Sequence, residues 1–585
     1  MGVGFVAVLV DLQTVRSDNL RSLSEDQRTR TRQLAGYRGD VLDRNGVVLA
    51  ASSPSHRVVA DPTLVKDPGR TAALLAPLLG IDSGWLVDEL TPTSETDRFS
   101  LLARHVNDDA VAGIADLNLA GIFTRPEEDR VYPAGDVAAA VVGRVDPDEQ
   151  GIYGVEQQYN DAMTGAPGTE QYERGRFGSI TVGSREVDPA TRGSDVTLTI
   201  DNRLQYVTEE MLVGHCEETR AAGATAVVSD PRTGEILAMA SAVRDEGVCG
   251  VPRYAPALVD SFEPGSVIKP FVVAATMQEL GYTSDTVIDV PSRTRVGDKT
   301  FVDHPPHPGA PFAISDILAE SSNVGTIKLA QRLAPETVYG YMTAFGLGQR
   351  TGLDTEGEAA GVLRHPDDWY GSDHGSIPIG QGVTVTATQL LAAYNVIANG
   401  GRYTPPSLVR SIEGADGVST LPQPESRQVL QPEIAADLTH SLTAVVARGT
   451  GAEAAVAGYP VAGKTGTAWK VFDDGSGRLG YGTDTNRRYV VSFVGFLPAD
   501  DPQLSVVVMV DEPKSDTTAA TIAAPLFAQI AEYSTRILGI PPLVSATDGA
   551  PVRGTPAPPS GSNGGSREWA LSRSGGVSDA GDANR

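Results

Sequence analysis

The chain has 585 residues, 41% of them hydrophobic and 21% charged, enough for two or more globular domains with ample core. Its formal net charge of −27 excludes nucleic acid or an anionic membrane surface as a main partner. Two cysteines without a Cys-x-x-Cys pair, and eight scattered histidines, leave no metal-site pattern and call for no cofactor.

Gly2 to Val10 is apolar and Asp11 ends the run. Nine helical residues span about 14 Å, roughly half a bilayer core. Residues 1–16 are expected to be the outer end of a membrane anchor whose beginning is missing from this reading frame, an ordinary buried helix being the alternative. Residues 17–36 are polar, rich in Arg and Gln and free of Gly and Pro until Gly36, and read as an exposed helical stalk. Two β-prone runs then flank Asn45-Gly46, a hairpin signal because both turn positions of such a hairpin take positive φ. From 37 to 195 short strands such as Arg57–Ala60 alternate with a helical pattern over Arg70–Leu79. No chemistry is evident there, so the stretch reads as a spacer or interaction module.

The character changes near Ser194. A strand over Asp195–Ile200, a helix near Leu204–Ala221 and a hairpin over Thr225–Ser229 and Glu235–Ser241 come first. Helical patterns follow over Ile314–Gln331, Pro335–Phe345, Thr386–Ala398 and Pro432–Ala447. Strands return at Arg488–Leu497 and Leu504–Val510, and a last helix covers about Thr518–Leu538. Strands at both ends of 196–540 with an all-helical insert between them predict one α/β domain whose sheet is assembled from its two termini. Residues 541–585, rich in Pro, Gly and Ser, read as a disordered tail. Cys216 and Cys249 either pair, if the domain is extracellular, or stay as buried thiols.

The segment that carries chemistry is Phe262-Glu263-Pro264-Gly265-Ser266-Val267-Ile268-Lys269-Pro270. Ser266 sits at a helix start, where it either caps the helix or acts as a nucleophile. Lys269, three residues on, lies on the same helical face. A hydroxyl becomes a nucleophile when a nearby base takes its proton, and a buried lysine with a lowered pKa is such a base. Of the seven lysines, only Lys269 has a serine three positions before it. Ser321-Ser322-Asn323 and Lys464-Thr465-Gly466-Thr467 follow in order. Taken singly, the first is a capping pattern and Gly466 a strand bulge. Together, with both motif lysines drawn from a pool of seven, the three are the signature of the penicillin-interacting serine enzymes.

The chain therefore resembles that superfamily. Arg38-Gly39 with Asp43-Arg44-Asn45-Gly46, then Gly154-Val155-Glu156, Gly380-Gln381-Gly382 and Thr386-x-Thr388-Gln389-Leu390, are similar to the class B penicillin-binding proteins, over about Arg38 to Leu538. Tyr172-Glu173-Arg174-Gly175 gives it the look of the division-specific FtsI type; the elongation type and a β-lactamase or β-lactam sensor are the alternatives. Trp469 and Ala519-Ala520 depart from common family residues and leave β-lactam preference open.

The resemblance implies an α/β transpeptidase domain behind an elongated α+β pedestal, which the family's usage calls a dimerisation module. It implies Ser266 as nucleophile, Lys269 as its base, and Ser321 with Lys464 passing the proton on. It implies backbone N–H groups of Ser266 and Thr467 as the oxyanion hole, and Asn323, Thr465, Gly466 and Thr467 as the substrate-binding set. Gly466 would let the substrate backbone come close, and Gly380 to Gly382 either shape the far wall or simply turn the chain. The substrates implied are peptidoglycan stem peptides, with β-lactams as inhibitors. An FtsW-type glycan polymerase and other division proteins are the implied partners, a dimer is possible, and the catalytic domain would lie on the outer face of the cytoplasmic membrane.

Overall fold

A computed structural model describes residues 29–542, apart from 35, 176–177, 180–185, 354, 356, 415–416, 421–424, 474, 476, 478 and 484. The expected anchor at 1–16 and tail at 541–585 lie outside the described residues, except for the first two positions of the tail. No described helix is long and apolar enough to cross a membrane.

The stalk reading needs correction at its end. Thr29–Leu34 is a strand, paired antiparallel with Gly168–Gly175 from Thr29 opposite Glu173 to Leu34 opposite Gly168. The run Thr-Arg-Thr-Arg-Gln-Leu places β-branched Thr29 and Thr31 two apart, a spacing that favours strand. Residues 17–28 lie outside the described set.

The pedestal is held by buried charge. Arg38 Nε and Arg130 Nε donate to the two oxygens of Glu156 at 2.7 and 2.8 Å, with all three side chains at most 2% exposed. Arg38 also donates to the Glu156 carbonyl and to Asn160 Oδ1, and Arg130 to the Gly39 carbonyl. Arg38-Gly39 and Gly154-Val155-Glu156, far apart in sequence, are thus two halves of one buried lock.

The hairpin at Asn45-Gly46 forms, but not through two positive-φ residues. Only Gly46 is left-handed, at φ +83°; Asp43 Oδ1 accepts from the N–H groups of Asn45 and Val47 and builds the turn by side chain. Its other oxygen accepts from Asn202 N, and Asn45 Nδ2 donates to Asp201 Oδ2. The hairpin therefore clamps the start of helix α1 (Asn202–Thr219), whose N-cap is Asp201. Asp195–Leu198, where the sequence changes character, is a shared strand: it lies parallel to Val41–Leu42 and antiparallel to Val409–Gly414.

Beyond it stands a six-stranded antiparallel sheet. Its strands are β1 (Gly223–Ser229), β2 (Ile236–Asp245), β3 (Val248–Gly250), β4 (Ala462–Trp469), β5 (Tyr489–Leu497) and β6 (Leu504–Asp511), in the order β3-β2-β1-β6-β5-β4. As expected, the sheet comes from both ends of the domain. One apolar cluster packs α1 and the last helix against it; the other holds the insert. The insert carries helices α2 (Lys269–Leu280), α3 (Ile314–Ala319), α4 (Asn323–Ala330), α5 (Ala387–Ala398) and α6 (Pro432–Arg448), with α7 (Ala519–Leu538) closing the domain. It is not purely helical, for Val287–Val290 pairs with Ala310–Ala313 and Arg293–Val296 with Lys299–Val302. Cys216 on α1 and Cys249 on β3 form a disulfide.

Glu156→Ala should destabilise the protein by about 3–5 kcal/mol, because it strands two buried guanidinium groups. Thermal unfolding followed by circular dichroism should show the loss, and an unchanged midpoint would contradict the lock.

Candidate active site

Helix α2 is buried on all sides through its first nine residues, Lys269 to Met277. Phe271 stacks on Phe345 and meets Tyr394 edge-on, and Tyr394 Oη donates to the Val267 carbonyl. A short 3₁₀ turn, Gly265–Ile268, leads into it, and neither helix has a side-chain cap. Ser266 is therefore not a capping residue. Its partly exposed hydroxyl stands at the head of a rigid helix whose next turn carries Lys269, 0% exposed. The Lys269 ammonium nitrogen donates to the Ser321 carbonyl and lies 3.2 Å from Ser321 Oγ.

The pattern over Ile314–Gln331 reads as one helix, and the chain makes two. Ser321 takes φ +56° between α3 and α4, and Ser322 becomes the N-cap of α4, accepting from Gly325 N at 2.8 Å. The break exists because a buried carboxylate holds it. Asp303 accepts from Ser322 Oγ at 2.6 Å and from Val324 N at 2.9 Å, and pairs with His307 Nε2 at 2.9 Å. Asn323 Nδ2 donates to the Val302 carbonyl in the same ribbon. Asp303 and His307 escape sequence reasoning, since only the packing of the ribbon against α4 gives them a role.

Lys464, Thr465, Gly466 and Thr467 lie on β4, the edge strand, whose outer side has no strand neighbour among the described residues. Lys464 is 0% exposed, with Nζ 3.2 Å from both Thr465 O and Thr465 Oγ1, and Thr465 Oγ1 is 2.8 Å from Thr450 Oγ1. Thr467 is exposed at the strand surface. The protein's own atoms leave no room for a side chain at Gly466, the nearest being Ser492 Oγ. A Cβ there would stand 2.9 Å from the Pro264 carbonyl and 2.8 Å from Val267 Cγ1. Gly265, at φ +59°, faces Thr467 O in the same contact and donates its N–H to the Gly380 carbonyl. The Gly380 segment is thus a wall against the serine turn.

Burial dominates the electrostatics. Desolvation holds Lys269 well below the ordinary lysine range, the positive Lys464 pushes it lower, and Asp303 partly opposes both. Burial alone brings Lys464 down to about 7. The rim adds Glu263, whose Oε1 accepts from Gly382 N and Tyr481 Oη, and Lys299, which donates to Gln381. The structure thus sets Lys269 on Ser321 and the serine turn against the β4 motif, while Asn323 bonds to the neighbouring ribbon. The described residues contain no group of ligands suited to a metal ion. The arrangement can activate a hydroxyl with an amine whose charged form burial disfavours, next to a second lysine of near-neutral pKa and a strand edge open to pairing.

The chain matches the penicillin-binding protein transpeptidase domain over residues 224–532 and the penicillin-binding protein dimerisation domain over residues 33–198. It is 33% identical to penicillin-binding protein PbpB of Mycolicibacterium smegmatis, over 92% of this chain and 89% of that one. It is 30% identical to the peptidoglycan D,D-transpeptidase FtsI of Escherichia coli K12, over 91% and 89%. Penicillin-binding protein 3 of Mycobacterium tuberculosis, solved in complex with aztreonam, superposes with a TM-score of 0.67 at 29% identity, over 88% of this chain and 99% of that one.

Because burial lowers the folded-state pKa of Lys464, the cost of holding its ammonium is fully present below about pH 7 and fades as pH rises toward the unfolded value. Lys464→Met should therefore raise the unfolding midpoint at about pH 6, by an amount equivalent to a few kcal/mol, and raise it much less at about pH 9.5. A stability gap that does not change with pH would contradict this.

Proposed function

The chain belongs to the class B penicillin-binding proteins, and from that membership we propose a serine D,D-transpeptidase that cross-links peptidoglycan stem peptides through an acyl-enzyme on Ser266. The observation that carries this reading is the fully buried Lys269, on the turn after Ser266, with its nitrogen on Ser321 and its charge opposed by Lys464.

Lys269, neutral at working pH, takes the proton of Ser266 Oγ. The oxygen attacks the carbonyl carbon between the two terminal D-alanines. The developing oxyanion is met by the backbone N–H groups of Ser266 and Thr467, whose segments approach closely where Gly265 has no side chain. The C–N bond breaks, and the proton reaches the leaving D-alanine amine through Ser321, assisted by Lys464. Asn323 holds the donor by its amide. Thr465 and Thr467 bind the terminal carboxylate with Lys464, whose ammonium form that carboxylate favours. Gly466 keeps β4 close to the serine turn, so that the donor pairs with a correctly placed strand edge. An amine of a second stem then displaces Ser266 and completes the cross-link. A β-lactam enters by the same attack and stays as a stable acyl group.

We place this activity in septal wall synthesis, in company with an FtsW-type glycan polymerase and other division proteins, with the pedestal as the interaction or dimerisation module. The catalytic domain would face the outer side of the cytoplasmic membrane, where its substrate lies. The Cys216–Cys249 disulfide is consistent with an oxidising compartment.

A fluorescent penicillin should label the wild-type protein covalently and leave Ser266→Ala unlabelled; absence of label on the wild type would overturn the reading, and rapid loss of label would favour a β-lactamase. Depletion in a rod-shaped host should give filaments, whereas rounding would move the role to elongation.

A further inference from the structure

His307 takes part in no step of the mechanism above, yet hydrogen bonds through Asp303 link it to the loop that carries Ser321. It lies in Asp303-His304-Pro305-Pro306-His307-Pro308-Gly309, between the strands Lys299–Val302 and Ala310–Ala313. Three prolines in these seven residues each fix φ, so the turn presents its side chains from a stiff frame. The imidazole packs on Phe312, with ring centroids 5.1 Å apart, and is 18% exposed.

Its hydrogen bonds define its protonation. Gly309 N–H donates to Nδ1 at 3.1 Å, so Nδ1 carries no proton. The ring is therefore neutral, and its one N–H, on Nε2, donates to Asp303 Oδ2 at 2.9 Å. Ser322 Oγ accepts from Gly325 N and gives its own proton to the same Oδ2. Val324 N donates to Oδ1. Among the described residues no Lys or Arg forms an ion pair with Asp303, so three neutral donors hold this buried carboxylate. Two of them belong to the loop that has to be held. Only His307 fixes the carboxylate independently of that loop. The loop needs holding, because Ser321 keeps a left-handed conformation that its Cβ disfavours, and its carbonyl and hydroxyl face Lys269. The charge of Asp303 also supports the ammonium form of Lys269 against burial, so a displaced carboxylate would disturb the base as well.

We propose that His307 is a positioning residue for the reaction at Ser266: its neutral Nε2–H fixes the Asp303 carboxylate, which holds the Ser321–Asn323 loop where Ser321 meets Lys269. The assignment rests on the transpeptidase reading and adds to it a residue outside the three motifs.

The test separates the two ring nitrogens. His307→Gln carries an amide N–H to the place of Nε2. His307→Asn sets its carbonyl oxygen at the place of Nδ1 and has no donor that reaches Asp303. Acylation of Ser266 by a fluorescent penicillin is timed in wild type, in both variants, in Asp303→Asn and in the Asp303→Asn, His307→Asn double variant. His307→Asn should acylate about tenfold more slowly than wild type, the scale of one hydrogen bond to a charged acceptor, and His307→Gln should keep most of the rate. In the Asp303→Asn background the change at His307 should matter by less than about twofold, because the group it acts through is already gone. Equal rates in wild type and His307→Asn would overturn the assignment. So would an equal loss in His307→Gln and His307→Asn, or a tenfold loss that persists in the Asp303→Asn background, since either marks general damage to the turn. Should His307→Asn not fold, His307→Phe takes its place, keeping the contact with Phe312 and lacking the donor. If penicillin leaves wild type unlabelled, the transpeptidase reading itself falls; a labelled wild type with additive variants sinks the assignment alone.

Discussion

Two lysine side chains taken wholly out of water next to one another are the constraint on which the rest of this structure depends. Lys269 and Lys464 are each 0% exposed, and each is pushed toward its neutral form by burial. Such groups are costly to bury, and a protein keeps them only where the surrounding structure over-determines their positions. Here Lys269 is fixed by the buried helix α2 and by Ser321, and Lys464 by the strand β4 and Thr465. The carboxylate of Asp303, which shapes the Ser321 loop, partly restores the charge that Lys464 repels. The same residue thus sets both the geometry and the electrostatics of the loop.

The fold exists to make those two lysines meet. The sheet is drawn from both ends of the catalytic domain, so the serine helix in the insert and the β4 motif near its end come together although nearly 200 residues separate them. Two glycines make the contact possible. Gly265 in a left-handed conformation and Gly466 without a side chain let the serine turn and the strand edge touch at backbone distance. Farther away, the Arg38–Glu156–Arg130 lock holds the pedestal together and the Asp43 clamp ties it to α1, which packs on the far face of the sheet.

The motifs and most elements were legible because each is local. Ser-x-x-Lys, Ser-x-Asn and Lys-Thr-Gly are spelled in three to four residues, and α5, α6 and α7 end within a residue or two of their periodic patterns. What could not be read depended on distant partners. Nothing near Asp303 marks it as the residue that splits Ile314–Gln331 into two helices. Thr29–Leu34 reads as stalk because its partner strand lies well over a hundred residues away. The turn at Asn45-Gly46 was legible as a hairpin, but its geometry was set by Asp43, a side chain that serves α1 as well. Gly466 reads as room for a substrate backbone, and the neighbours its sequence could not reveal are Ser492 and the serine turn.

A neutral Lys269 as the base of Ser266 is the claim on which the chemistry turns. Its most direct test is the rate of Ser266 acylation by a penicillin measured from weakly acidic to strongly alkaline pH. The rate should rise on a limb whose apparent pKa, a property of the coupled Lys269–Lys464 pair, lies well below the roughly 10.4 of a free lysine. A rate that stays flat across the range, or a limb at the free-lysine value, would show that the base is another group.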